Sequence, residues 1–322
     1  MNERENALHV IMHDGKAQWL PSGADCLEMV IPTNVVRERP PFSEGSGSDY
    51  FGCWWEFDPA TMGFSPLPDR QPCKDITKWE EQVTFPDPEK LDWAKAEEQA
   101  ANFDRENKLS MIFWESGPWE RLHALIGFQE ALEALYEEPE AFAELMQAIT
   151  DFKVAMVKKI KEHYNPDIVC ILDDFGHQKS PFMSTEMFRE MIKPYETQIG
   201  KAITDNNMIY CHHSCGSITP LMQDIYEMGP KLILGLFAPY NDQEKVMKEF
   251  GDKLVFIGPI DAQLISKADT PLEQKIAETR RCVDVFGPSK SIIFDAASMD
   301  PAIAGPVYEE FYKYRTKYDS PS

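Results

Sequence analysis

The residues best placed to do chemistry in this chain fall in one short segment, His212-His213-Ser214-Cys215-Gly216. A neutral imidazole and a thiolate two residues apart at a strand end can face one ion, and Zn²⁺ takes such nitrogen and sulfur donors in tetrahedral geometry. His213 and Cys215 are therefore a candidate metal pair; the bland alternative is a histidine bonded to backbone beside a packed cysteine. A second signal is Asp173-Asp174-Phe175-Gly176-His177-Gln178. Adjacent side chains on a strand point to opposite faces, so only one aspartate faces a site, and Asp174 is the one expected. Its other possible role is to cap the next helix or pair with a lysine. His177 and Gln178, on the loop beyond, either contact substrate or sit at the surface. Glu115 directly follows an apolar strand. Buried there, its carboxyl would have a raised pKa suited to acid–base work, unless it forms a structural ion pair with Arg121.

Each of these groups follows a strand, and the same holds along the rest of the chain. The apolar runs Leu109–Trp114, Ile168–Leu172, Met208–His212, Leu232–Phe237, Leu254–Ile257 and Ser291–Phe294 read as short buried strands, separated by amphipathic helices. Alternating strands and helices of this kind make a parallel sheet covered by helices. Six clear strands, with one or two more in the N-terminal third, predict a closed (β/α)8 barrel, the TIM barrel, as one domain over 1–322. Residues 1–108 form an irregular extension with the first strand, and 109–322 carry the regular repeats. In such a barrel reactive residues gather after the strands. That rule adds Tyr240 and Asn241 as candidate substrate contacts, and Asp295 after the last strand. The aromatic block from Tyr50 to Phe57, with Trp54 and Trp55, is expected as a hairpin or cap strand that either lines a pocket or packs as core.

Composition sets outer limits. Hydrophobic residues make up 43% and charged residues 27%, as in globular proteins. A formal net charge of −22 argues against nucleic acid or a polyanionic substrate. No apolar run approaches the roughly 20 residues of a membrane span. The N-terminus lacks the basic-then-apolar order of a signal peptide, and seven scattered cysteines form no framework, so a cytoplasmic enzyme with reduced thiols is expected. There is no G-x-G-x-x-G after the first strand and no phosphate-binding loop, so nothing supports nucleotide binding.

The stretches from Asp173 to Pro181, Phe188 to Pro194, His213 to Ile218, and Phe250 to Asp261 resemble the uroporphyrinogen decarboxylase superfamily, and more narrowly its cobalamin-dependent methyltransferase branch. The resemblance runs from about Glu115 to Phe311 and is loose before that. It implies a (β/α)8 barrel. The decarboxylases of the superfamily use an N-terminal Arg-Gln-Ala-Gly-Arg segment, which is missing here. The methyltransferase branch implies transfer of a methyl group between a small molecule and the corrinoid (cobalamin) of a partner protein. It also implies zinc held by a His-x-Cys pair and a second cysteine after the last strand. The pair carries over onto His213 and Cys215, but the last strand leads to Asp295-Ala296-Ala297-Ser298-Met299, with no thiol. A carboxylate then completes the set: Asp295 at that position, with Glu115 or Asp174 as the other choices. Because a carboxylate donates less charge than a thiolate, the ion would be a stronger Lewis acid, suited to the oxygen of a methoxylated compound. The alternative is a metal-free decarboxylase or lyase with Asp174 and His213 as acid–base groups.

Overall fold

The computed structural model describes residues 1–33, 35–59 and 63–318. Among these, ten strands appear in chain order: β1 (Leu27–Val30), β2 (Gly47–Ser48), β3 (Trp54–Asp58), β4 (Gly63–Pro66), β5 (Leu109–Trp114), β6 (Ile168–Leu172), β7 (Ile209–Ser214), β8 (Leu232–Gly235), β9 (Val255–Ile257) and β10 (Ile292–Ile293). Seven form one parallel sheet in the order β1-β5-β6-β7-β8-β9-β10. Its edges meet through a parallel bridge between Ser22 and Phe294, flanked by hydrogen bonds from Gly23 N to Phe294 O and from Phe294 N to Pro21 O, both 2.8 Å. The result is a TIM-barrel-like ring in which this bridge, just before β1, stands where an eighth strand is expected.

Alternation along each strand sorts residues between the barrel interior and the helix layer. Leu109, Met111, Ile168, Cys170, Cys211, Leu232, Val255 and Ile293 pack together as the interior cluster. Ile112, Trp114, Val169, Ile171 and Tyr210, on the opposite parity, join the outer core beneath the helices. The longest helix, Pro139–His163, buries Phe142, Leu145, Met146, Ile149, Phe152, Met156 and Ile160 at helical spacing. Each such side chain contributes about 1.5–3 kcal/mol relative to exposure.

Local chemistry sets the bounds of several elements. The helical stretch 118–163 is three helices, Pro118–Ile126, Phe128–Glu137 and Pro139–His163; Gly127, with φ of 107°, and Pro139 mark the breaks. The stretch 184–205 divides into Thr185–Met191 and Lys193–Asp205, because Pro194 has no N–H to continue the first helix. The region 88–106 holds a single turn, Pro88–Lys90, and a helix, Trp93–Ala101. Of the one or two further strands expected in the N-terminal third, β1 joins the main sheet; Asn34 lies outside the described residues. β7 runs two residues further than expected and includes His213 and Ser214. In the N-terminal extension, β3 pairs antiparallel with β2 and β4, so the aromatic block supplies the middle strand of a three-stranded sheet. No helix among the described residues is long and apolar enough to cross a membrane.

Candidate active site

Strand parity explains which groups meet at the barrel mouth. On β5 the inward set Leu109, Met111, Phe113 continues to Glu115. On β6 the set Ile168, Cys170, Leu172 continues to Asp174. On β7 the set Ile209, Cys211 continues to His213 and then Cys215. Leu172 and His213 are direct partners across β6 and β7, so Asp174 and Cys215 lie just beyond adjacent strand ends. His213 Nε2 is 3.3 Å from Cys215 Sγ and 3.7 Å from Asp174 Oδ1. All three donor atoms lie within 4.8 Å of one another. Tetrahedral zinc ligands at 2.0–2.3 Å stand roughly 3.3–3.7 Å apart, so the spacing and the N, S, O donor set fit one zinc ion with a position left over.

The loops that carry these donors are pressed together. A Cβ on Gly216, whose φ is +75°, would come within 2.2 Å of the Gly176 carbonyl oxygen. The Cys215 amide donates to Asp174 Oδ1 at 2.6 Å, and the Ser217 amide donates to the His177 carbonyl at 2.8 Å. Asn241 braces the same loop: its Oδ1 accepts from the Ile218 and Thr219 amides, and its Nδ2 donates to the Gly216 and Phe237 carbonyls. Its polar atoms are thus engaged in holding Cys215 in place.

Burial governs the protonation of the donors. It keeps the His213 imidazole below its usual range, against the opposing pull of Asp174 and the Leu234 backbone. Burial, then the charge of Asp174, pushes the Cys215 thiol well up. Asp173 points the other way and is fully buried. It accepts from the Trp119 and Glu120 amides at 2.8 Å, capping the helix Pro118–Ile126. Burial, and then the neighbouring Glu196, raise its carboxyl far above the usual range. His212, also outward, stacks on Phe175 with centroids 5.1 Å apart, and burial pushes it down to about 3.

Two cavities flank the donor cluster. One, of about 280 Å³, is bounded by Asp174, Glu115 and Glu120 from the barrel and by Arg39, Trp55 and Phe64 from the extension. The other, of about 370 Å³ and mostly apolar, is bounded by Cys215, His177, Gln178, Phe237 and Tyr240. Of the aromatic block, only Trp55 reaches the first cavity. Trp54 lies under the Arg70 guanidinium at 5.1 Å, and Tyr50 is exposed. His177 is an exposed rim residue whose Nε2 meets the Ser180 hydroxyl at 2.9 Å.

Two further placements differ from the expectations. Asp174, rather than Asp295, stands with His213 and Cys215. Asp295 Oδ1 instead accepts from the Ala297 amide at 2.8 Å, and its Oδ2 from the Tyr308 hydroxyl at 3.3 Å. Glu115 pairs with Arg39, not with Arg121. Arg121 is bound to Asp49 at 2.6 Å and to Glu38. Neither Arg39 nor Glu120 is among the site residues to which the sequence points. Arg39 lies in the irregular extension, where no periodicity marks a site, and Glu120 sits within a helix rather than at a strand end.

A parallel barrel with metal-type donors at the C-terminal strand ends defines the class, that of α/β-barrel proteins built around a mouth-facing site. The model of the family described as uroporphyrinogen decarboxylase (URO-D) matches residues 65–299, well over half of the chain, and the chain belongs to that family. Among solved structures, a methyltransferase from Methanosarcina mazei shares the fold with a TM-score of 0.72 at 12% identity, over 98% of this chain and 99% of that one. The crystal structure of an uncharacterised protein aligns over 52% of this chain and 44% of its own, with 11% identity and a TM-score of 0.33, too loosely to carry an argument. No curated protein matches the sequence.

Proposed function

We propose that this protein is a zinc-dependent methyltransferase that moves a methyl group from a small methoxylated compound to the corrinoid of a partner protein. The observation that carries the reading is the convergence of Asp174, His213 and Cys215 at the ends of two adjacent barrel strands, with a cavity on either side. Family membership and the fold shared with a methyltransferase support it.

Asp174, His213 and Cys215 would hold the ion. Zinc, when bound, supplies a Lewis acid for the ether oxygen, and with one carboxylate in its donor set it is more electrophilic than with two thiolates. The corrinoid supplies the nucleophile that accepts the methyl group. The protein's own residues orient and enclose. Trp55 and Phe64 from the extension form one wall of the smaller cavity and lie against a flat donor. The close-packed loops of Gly176 and Gly216 fix Cys215. The β2–β4 sheet supplies Trp55, Gly63 and Phe64 to the lining of the smaller cavity.

Zinc content and methyl transfer from methoxylated compounds to a reduced corrinoid, compared between the parent and Cys215→Ala, test this. About one zinc per chain, lost together with transfer in the variant, is the expected result. A metal-free parent that lacks transfer would replace the proposal with an acid–base lyase using Asp174 and His213.

A further inference from the structure

The smaller cavity contains an arrangement that zinc binding does not require. The Arg39 guanidinium engages Glu115 through Nε and Nη2. It sits in the wedge between two phenyl rings, 4.5 Å from the Phe42 centroid and 4.3 Å from that of Phe64. The two rings are tilted by 58° with centroids 5.4 Å apart, so they grip the cation from two sides. Its third nitrogen, Nη1, bonds to no group among the described residues, and it is the donor left for a molecule in the cavity.

The residue before it is fixed just as firmly. Glu38 accepts from Trp114 Nε1 at 2.7 Å and pairs with the buried Lys153, while the Arg121 guanidinium holds its carbonyl. Arg39 is therefore a preset hydrogen-bond donor on a rigid support.

Its electrostatic setting decides what it can select. Among the cavity-lining residues Arg39 is the one cation, facing the carboxyl groups of Glu115, Glu120 and Asp174. Glu115 already balances its charge. A divalent ion held by Asp174 and the Cys215 thiolate is likewise balanced by its own ligands. No net positive charge remains for an anionic ligand, whereas a neutral oxygen can still accept from Nη1. The walls Phe42, Trp55 and Phe64 are flat and apolar, and about 280 Å³ admits a single substituted ring.

We propose that the Arg39–Glu115 pair makes the cavity select an uncharged methoxyarene with a second oxygen and reject an arene carboxylate. This rests on the methyl-ether reading above and names its substrate class. Arg39 is the specificity-determining residue, and Glu115 is the counter-charge that sets its preference.

The test is the affinity of the zinc-loaded protein for 1,2-dimethoxybenzene and for 3,4-dimethoxybenzoate, by calorimetry. The parent should bind the neutral compound at least about tenfold more tightly. Glu115→Gln leaves the guanidinium charge uncompensated and should strengthen benzoate binding by about tenfold, while Arg39→Lys, which loses the fork, should weaken the neutral compound by about tenfold. Melting temperature and zinc content report whether each variant is folded; if one is not, the parent's preference still decides. Equal or tighter binding of the benzoate by the parent, or an unchanged ratio in folded Glu115→Gln, overturns the discrimination alone. If neither probe binds the zinc-loaded parent, the methyl-ether reading falls, and this inference with it.

Discussion

At the scale of single residues, the three donors start from different protonation states. His213 is held neutral by burial and offers Nε2 at neutral pH without losing a proton. Cys215 is held as a thiol, so zinc binding must expel one proton. Between the lowered histidine and the raised cysteine, zinc affinity should therefore rise about tenfold per pH unit. Chelator competition across neutral pH measures that slope, and a flat profile would remove Cys215 from the ligand set. Asp174→Ala should lose the ion, whereas Asp295→Ala should keep it, because the Asp295 carboxylate is spent on Ala297 and Tyr308. The His213-x-Cys215 pair was legible in the sequence because its spacing is chemical in itself. The choice of carboxylate was not, since Glu115, Asp174 and Asp295 all follow strands with inward parity. What separates them is the hydrogen bonding around each, and only packing determines that.

At the scale of elements, the site depends on two loops that approach too closely for any side chain. Gly216→Ala would force a Cβ into the Gly176 carbonyl in a backbone conformation that alanine tolerates poorly. The substitution should cost at least about 1–3 kcal/mol and weaken zinc binding with it, read as a lower melting temperature and a reduced metal stoichiometry. Strand parity was available from the sequence and meant that only one of Asp173 and Asp174 faces the barrel mouth; in the structure Asp174 lies beside His213 and Cys215. The capping role considered for Asp174 belongs to its neighbour Asp173, which faces the helix layer. Asp173 and Glu196 form a buried carboxyl pair, both raised by burial. A raised folded-state pKa gives stability that is complete at acid pH and lost as pH climbs through the raised value. The parent's melting temperature should fall as pH rises above the ordinary carboxylate range of about 4, and that of Glu196→Gln should fall less. Identical slopes would show that the pair does not carry the shared proton.

At the scale of the whole molecule, the extension is bolted to the barrel by buried charge. Lys153 and Arg121, both fully buried and both on barrel helices, hold Glu38 and Asp49 of the extension. Removing one partner leaves an uncompensated buried carboxylate, so Lys153→Met should cost about 3–5 kcal/mol. Denaturant unfolding measures the loss, and a change under 1 kcal/mol would show that water reaches Glu38 when the lysine is gone. The repeating strands and helices from residue 109 onward were legible because each segment keeps one apolar period. The extension was not, because its order comes from long-range ion pairs and aromatic contacts that leave no periodic trace.

The ring itself is unevenly laced. Four or five residues pair along β1–β5, β5–β6 and β6–β7, whereas its ends are joined by one bridge at Ser22 and Phe294. Such a seam is where the barrel should breathe, and the amides of Gly23 and Phe294 should exchange with deuterium sooner than those of β6 and β7. The donor strands lie mid-sheet, away from both lips of the split. Opening at this seam should therefore leave the strands that carry Asp174, His213 and Cys215 paired.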